Sequence, residues 1–115
     1  MWESLRKIIL IFLLGYMHEQ SRNDRDDYVT INWDNIEPGK VGNFWKCTPC
    51  QHQNTTYDYG SVMHYPDWAF AINRSIPTIV TKNGEHIGQR NGFSENDITR
   101  LNTLYPCGMK ILEPF

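Results

Sequence analysis

The sequence predicts one small α+β domain in which much of the backbone is irregular, and three observations carry that prediction. An uncharged apolar run near the N-terminus favours a buried helix. Two short segments rich in β-branched residues favour strands, and a capped amphipathic segment near the C-terminus favours a second helix. With 115 residues the chain has room for a single core, and it contains no repeat or low-complexity linker.

The N-terminal apolar run covers residues 8–17 and follows the basic pair Arg6 and Lys7. A membrane-spanning helix needs about 20 residues, so a membrane partner is not expected. Basic residues before an apolar stretch are also typical of signal peptides, but the small residues of a cleavage site are missing here. We therefore predict a buried helix over residues 4–18, with a signal peptide as the alternative.

The middle of the chain is rich in turn signals and contains two strand candidates. Residues 28–31 (YVTI) are the first, and residues 75–81 (SIPTIVT) are the second. Pro77 within the second indicates an edge strand or an interrupted strand. Residues 37–40 (EPGK) are typical of a tight turn.

The C-terminal helix has the clearest local signature. Ser94 is a favoured N-cap residue, and Asp97 stands three positions later. Apolar residues then recur at helical spacing, at Ile98, Leu101, Leu104 and Tyr105. Because Pro106 ends this pattern, we predict a helix over residues 95–105.

Composition narrows the classes of function. The net charge of −2 and the absence of a basic patch argue against a nucleic-acid partner. Three cysteines, an odd number, leave one without a partner inside the chain if the other two are bridged. Two N-x-S/T sequons, at Asn54 and Asn73, predict glycosylation sites and favour an extracellular protein.

Cys47 and Cys50 form a C-x-x-C pattern that has three interpretations: a redox pair, half of a zinc knuckle, or a local disulfide. His52 follows, but no fourth ligand is evident, which argues against a structural zinc site. A local disulfide in a secreted chain is the preferred interpretation.

Residues 15–19 (GYMHE) raise the question of a metal site, because a glycine stands three residues before His18. One class of zinc proteases has the pattern H-E-x-x-H-x-x-G-x-x-H. Its first two histidines share one helix face, and the glycine lets the third reach the same ion. Alone, a histidine near a helix end is more often a polar surface or capping residue.

Residues 61–65 (SVMHY) make the zinc-site interpretation of His18 more favourable, because they indicate a turn that presents Met63. In metzincin proteases a methionine-containing turn lies beneath the zinc as an apolar floor. Met63 as an ordinary core residue is the other interpretation. We expect His18 and Tyr65 to approach one another, with Met63 buried beneath them.

Four stretches together carry a resemblance: GYMHEQSRNDRDDYVTINWDNI from residue 15, NF at 43–44, YDYGSVMHY at 57–65 and IGQRNGFSENDITRLNTLYPC at 87–107. In this order they resemble the C-terminal half of the catalytic domain of astacin-family zinc metalloendopeptidases, the family of hatching enzymes, meprins and tolloids. The resemblance implies the C-terminal subdomain of a zincin-like fold over residues 15–107. Residues 1–14 do not match, and residues 108–115 form a tail.

The resemblance implies roles for individual residues. His18 takes the place of the third zinc ligand. Tyr65 takes the place of the tyrosine that reaches the metal at rest and stabilises the tetrahedral intermediate of peptide hydrolysis. Met63 takes the place of the apolar floor beneath the zinc. Arg90 lines the pocket for the residue after the scissile bond, or it is a solvated loop cation. Glu19 takes the place of a residue that pairs with the amino terminus in mature relatives.

Departures from the family pattern weigh against activity. Ile8 and Phe12 stand where the family has the first two zinc-binding histidines, and Ile9 stands at the position of its general base. A catalytic zinc needs three protein ligands and a carboxylate that takes the proton of the bound water. We therefore expect weak zinc binding and no hydrolysis of a peptide or protein substrate. Cys107 lacks the partner that the family's N-terminal half supplies.

Two explanations of these departures stay open. In the first, residues 1–14 are a truncated or mis-spliced start, and the chain is a fragment of a secreted, active protease. In the second, the chain is a secreted, non-catalytic interaction module derived from the family. The abrupt onset of the resemblance at Gly15 favours the first explanation.

Overall fold

The structure is a computed structural model, which describes Arg6 and residues 17–48, 50 and 54–104. These residues form a small α+β arrangement with one two-stranded sheet, one α-helix of ten residues and four single 3₁₀ turns. The expected class, α+β with a largely irregular backbone, is therefore confirmed. None of the helices in this part of the chain is long and apolar enough to cross a membrane.

The sheet joins the two strand candidates. Strand β1 is Val29–Ile31 and strand β2 is Ile79–Thr81, and they pair antiparallel with Ile31 opposite Ile79. Val29, Ile31 and Ile79 point into the core, whereas Thr30 is exposed beside Val80, which follows the alternation of a half-buried sheet. The strand prediction for residues 75–81 is right in its second half, after Pro77.

The helix α1 is Glu95–Leu104, close to the predicted 95–105. Its cap is reciprocal, since the amide of Asp97 donates to Ser94 Oγ at 3.1 Å and the amide of Ser94 donates to Asp97 Oδ2 at 3.0 Å. The predicted turn at residues 37–40 is also present, with Gly39 at φ 85° and the Lys40 amide bonded to the Glu37 carbonyl at 3.0 Å.

The predicted helix over residues 4–18 is wrong at its C-terminal end. His18 has extended backbone angles, φ −62° and ψ 148°, and Met17 is not helical either. The reason is that the amide of Glu19 bonds the carbonyl of Met63, 3.2 Å away, instead of a carbonyl one turn earlier in a helix. Arg6 is helical, and the rest of this prediction lies outside the described residues.

The buried apolar residues of the described chain include two groups. The smaller group joins the turn at Met63 to α1 and contains Val62, Met63, Phe93, Ile98 and Leu101. The larger group surrounds the sheet and contains Val29, Ile31, Ile36, Phe44, Tyr57, Ala69 and Ile79, with Tyr65 and Phe70 packed against it. Tyr65 therefore lies against one core while Met63 belongs to the other.

Candidate functional site

The His18 ring is fixed by the turn that carries Met63. Its Nδ1 lies 2.8 Å from the Met63 carbonyl oxygen. Because a carbonyl oxygen only accepts hydrogen bonds, Nδ1 carries the proton, and the lone pair is on Nε2. A histidine that binds a metal through one ring nitrogen usually donates from the other to a carbonyl or carboxylate, which is the arrangement of His18.

Tyr65 lies beside this ring. The two ring centroids are 4.5 Å apart, with the planes inclined by 56°, so the expected approach of His18 and Tyr65 is present. Phe44 and Phe70 meet the phenol ring edge-on. The backbone of Tyr65 is held by Gln20, whose Oε1 accepts its amide hydrogen at 3.1 Å.

Burial keeps both rings in their neutral forms. Burial lowers the pKa of His18; the bond to the Met63 carbonyl opposes this effect, and the positive charge of Arg90 adds to it. Burial raises the pKa of the Tyr65 phenol, against an opposing effect of Arg90. A neutral imidazole and a protonated phenol are the forms that a metal ligand and a hydrogen-bond donor to an oxyanion require.

Met63 occupies a tight turn over residues 61–64, closed by the His64 amide and the Ser61 carbonyl at 3.1 Å. Its side chain is 2% exposed, as expected for a floor and equally for a core residue. The Asp97 carboxylate stabilises the turn through two hydrogen bonds: it accepts from Ser61 Oγ at 2.5 Å and from the Val62 amide at 3.0 Å. One carboxylate therefore caps α1 and anchors the Met63 turn.

Arg90 holds the other side of this turn. Its Nη1 donates to the carbonyls of Val62 and His64, at 2.8 and 2.9 Å. Gly88, two residues before Arg90, lies directly against Pro66: it has φ 87°, and a Cβ at its position would collide with that residue. Arg90 is thus half-buried and bonded, which does not fit a freely solvated loop cation.

Glu19, the neighbour of His18, is almost fully buried and forms a two-point ion pair with Arg100 of α1. The Asp58 amide also donates to Glu19, at 2.6 Å. Burial raises the pKa of the Glu19 carboxyl, and the bond and charge of Arg100 oppose that rise. The sequence analysis gave Glu19 only the partner that it has in mature relatives, an amino terminus, and missed Arg100; the signal was an arginine beside the apolar positions Ile98 and Leu101.

His64 is a buried histidine that the sequence analysis did not single out. Its Nδ1 lies 2.8 Å from the Tyr65 carbonyl, so it carries the proton there, and Nε2 accepts from the Tyr57 hydroxyl at 2.6 Å. Burial lowers its pKa to about 4 and raises the pKa of Tyr57. This neutral pair holds the Tyr65 carbonyl.

A cavity of about 640 Å³ opens beside Tyr65. Tyr65, Phe70, Ile87 and Trp68 contribute apolar surface, and Arg74 and Arg90 contribute positive charge. Phe70 has φ 53°, an uncommon backbone angle for a bulky residue. The volume lies within the usual range for ligand pockets.

The remaining candidates lie outside this cluster. Cys47 and Cys50 are joined by a disulfide, as expected, and the Cys47 amide bonds the Ser21 carbonyl at 2.6 Å. Both sequon asparagines, Asn54 and Asn73, are exposed. His52 and Cys107 lie outside the described residues.

The donors of this cluster do not complete a catalytic zinc site. Ile8, Ile9 and Phe12 lie outside the described residues, and none of the three has a side chain that binds metal or takes a proton. Within the part of the chain that the structure describes, no group of three histidine, cysteine, aspartate or glutamate residues converges on a point. His18 alone supplies a strong ligand, with Tyr65 beside it.

Comparison with known proteins identifies relatives over most of the chain. The family model for Astacin, a peptidase family, matches residues 9–106. Zinc metalloproteinase nas-15 of Caenorhabditis elegans is 49% identical over 107 residues, which cover 91% of this chain and 19% of the relative. Meprin A subunit beta of Homo sapiens is 48% identical, over 85% of this chain and 15% of the relative.

A solved structure gives the same result. High choriolytic enzyme 1, a hatching enzyme zinc-protease from Oryzias latipes (medaka), superposes with a TM-score of 0.78 at 50% identity. The superposition covers 82% of this chain and 48% of that chain. The chain thus spans less than half of the length of the relatives that it matches.

Proposed function

Since the chain belongs to the astacin family, we propose that it is a segment of a secreted zinc metalloendopeptidase domain that is inactive as written. In this proposal the segment supplies the third zinc ligand, His18, together with Tyr65 and the floor formed by Met63. The family match and the similarity to zinc proteases support peptide or protein substrates. The disulfide and the two exposed sequons support an extracellular location.

One observation carries the proposal: the His18 imidazole donates from Nδ1 to the Met63 carbonyl while its ring lies 4.5 Å from that of Tyr65. An ordinary capping histidine would need neither the neutral form nor a tyrosine at this position. Arg90 supports the same interpretation, because it fixes the Met63 turn and lines the cavity next to Tyr65. We propose that Arg90 contributes positive charge to the pocket for the residue after the scissile bond.

In this proposal the chain as written does not hydrolyse peptides through zinc, because the residues present do not complete the ligand set of the metal. The aliphatic side chain of Ile9 cannot accept a proton from a metal-bound water. What the described residues do is orient one imidazole, place one phenol and exclude water beneath them through Met63. Together these residues would supply one ligand of a zinc site, the phenol beside it and the apolar surface beneath it.

Activity measurements test the proposal. With zinc present, the chain as written should not cleave a peptide that has an acidic residue after the scissile bond. A chain with Ile8→His, Ile9→Glu and Phe12→His, joined to an astacin-type N-terminal half, should cleave it. Adding Tyr65→Phe to that active chain should lower kcat about 10²- to 10³-fold, because one donor to the oxyanion is lost. Cleavage by the chain as written would contradict the proposal.

A further inference from the structure

The cavity beside Tyr65 contains a second cationic side chain, Arg74, whose surroundings differ from those of Arg90. Arg74 stacks on the indole of Trp68, with Cζ 4.6 Å from the ring centroid, and both residues line the cavity. Trp68 is 46% exposed, so the pair stands at the solvent end of the cavity. The same pair lines a smaller cavity of about 250 Å³, from which it is also accessible.

The stacking leaves Arg74 suited to bind an anion. A guanidinium that rests on an aromatic face is oriented by it, and its N–H edge stays directed outward for a carboxylate. Within the described residues, no carboxylate lies within ion-pair distance of Arg74, whereas Arg22, Arg25 and Arg100 each have one. Asp67 lines the cavity as well and offsets one of its two positive charges, so the net charge stays positive.

We propose that Arg74, on its Trp68 platform, is a second specificity-determining residue of this cavity and binds a carboxylate of a peptide whose preceding acidic residue faces Arg90. The ligand is thus a peptide with two carboxylates in succession. Phe70 and Ile87 also line this cavity and supply apolar surface for the backbone and stems of those residues. This inference deepens the proposed function and rests on it.

Binding by the full chain, without zinc, tests the inference. The probe is an acetylated, amidated tetrapeptide with two successive glutamates flanked by glycines, and its matched partner has glutamine in the second glutamate position. Titration is followed by NMR at the Trp68 indole N–H in every chain, and also at the Arg74 Nε–H in the chains that keep this residue. Arg74→Gln should weaken binding of the two-glutamate peptide about three- to tenfold and leave its partner unchanged.

Matched variants distinguish binding by the Arg74 guanidinium from a general effect of the net charge on peptide affinity. Lys82→Gln removes an exposed cation that does not line the cavity, and it should leave both affinities unchanged. Arg74→Lys keeps the charge but loses the planar fork, and it should give an intermediate affinity. A third peptide, with one glutamate and a free C-terminal carboxylate, shows whether a side chain or a chain terminus supplies the second carboxylate.

The inference is overturned if Arg74→Gln weakens all peptides equally or none of them. It is equally overturned if no peptide binds the unaltered chain at about 10 mM, since a two-carboxylate site should exceed that affinity. These results differ from a failure of the proposed function. That failure would be seen as a restored chain without zinc or peptidase activity, whatever the cavity binds.

Discussion

Arg100 donates to both carboxylate oxygens of Glu19, at 2.8 and 2.9 Å, although 81 residues separate them in the chain. The pair ties α1 to the residue next to His18, and both side chains are buried. Asp97, one turn earlier on α1, anchors the Met63 turn. The helix therefore holds the two segments that position the His18 imidazole.

Arg100→Met should destabilise the chain by about 3–5 kcal/mol, because it leaves the buried Glu19 carboxylate with only the more distant Arg22, 3.9 Å away, as a cationic partner. The loss is measured by urea unfolding. Replacing both partners, with Glu19→Gln and Arg100→Gln, should cost less than the single change, since the Glu19 carboxylate that lost its main partner is then absent as well. A single-variant cost below about 1 kcal/mol, typical of an exposed pair, would contradict the role assigned to this contact.

Asp97→Asn should loosen the Met63 turn. The carboxylate accepts from Ser61, Val62 and Ser94, whereas an amide has one accepting oxygen, so buried donors lose their partner at a cost of about 2–3 kcal/mol. Ser94→Ala is the matched control, because it removes the hydroxyl side of the cap but keeps the carboxylate at Val62, at a cost of about 1 kcal/mol.

Nitrogen NMR of the His18 ring separates the two variants. Asp97→Asn should raise the share of the tautomer protonated at Nε2, because the turn that carries the Met63 carbonyl loses part of its support, and Ser94→Ala should not. If both variants leave the tautomer unchanged, Asp97 has no part in positioning His18.

Elements that depend on neighbouring residues were predictable from the sequence, whereas contacts between distant segments were not. The cap at Ser94, the helix after it and the turn at Gly39 were predictable, because each depends on residues within one turn of backbone. The pairing of β1 with β2 joins segments about 50 residues apart, and no local signal specifies it. The extended backbone at His18 was mispredicted for the same reason, since the Glu19 amide bonds the distant Met63 carbonyl.

In the candidate site, too, some residues were predictable from the sequence and others were not. His18, Met63 and Tyr65 were found through a resemblance to a family. Their supports, Gln20, Asp97 and Arg100, lie in segments whose contacts exist only after folding.

Gly88→Ala should be more destabilising than Gly84→Ala. Both glycines have positive φ, 87° and 78°, so both variants incur about 1 kcal/mol of backbone strain. Only at Gly88 does the new methyl group meet Pro66, while Gly84 has open space around it. We expect a further loss of about 1–3 kcal/mol at Gly88, measured by thermal unfolding, and equal losses would contradict the close approach.

The contribution of His64 to stability should fall as the pH drops from about 6.5 to about 4. His64 has a folded pKa of about 4, below its ordinary 6.5, so the unfolded chain takes up a proton in this range before the folded chain does. The contribution of His64 is complete above pH 6.5 and decreases by about 3 kcal/mol towards pH 4. The lowered pKa of His18 acts in the same direction.

Comparison with His64→Gln isolates the share of His64, because a glutamine oxygen can accept from Tyr57 but does not titrate. Urea unfolding of both chains at intervals between pH 4 and pH 7 gives the two profiles. The slope should be smaller in the variant, and parallel profiles would show that His64 is not held neutral by burial.

Zinc binding with and without His18 is the measurement that tests the central claim most directly. The chain as written should bind zinc no tighter than micromolar. With Ile8→His, Ile9→Glu and Phe12→His, one zinc ion per chain should bind with an affinity higher by orders of magnitude, because three imidazoles then converge on it. Adding His18→Ala should abolish most of that gain. A folded triple variant that gains no zinc, or gains it equally without His18, would contradict the claim that His18 belongs to an astacin-type zinc site.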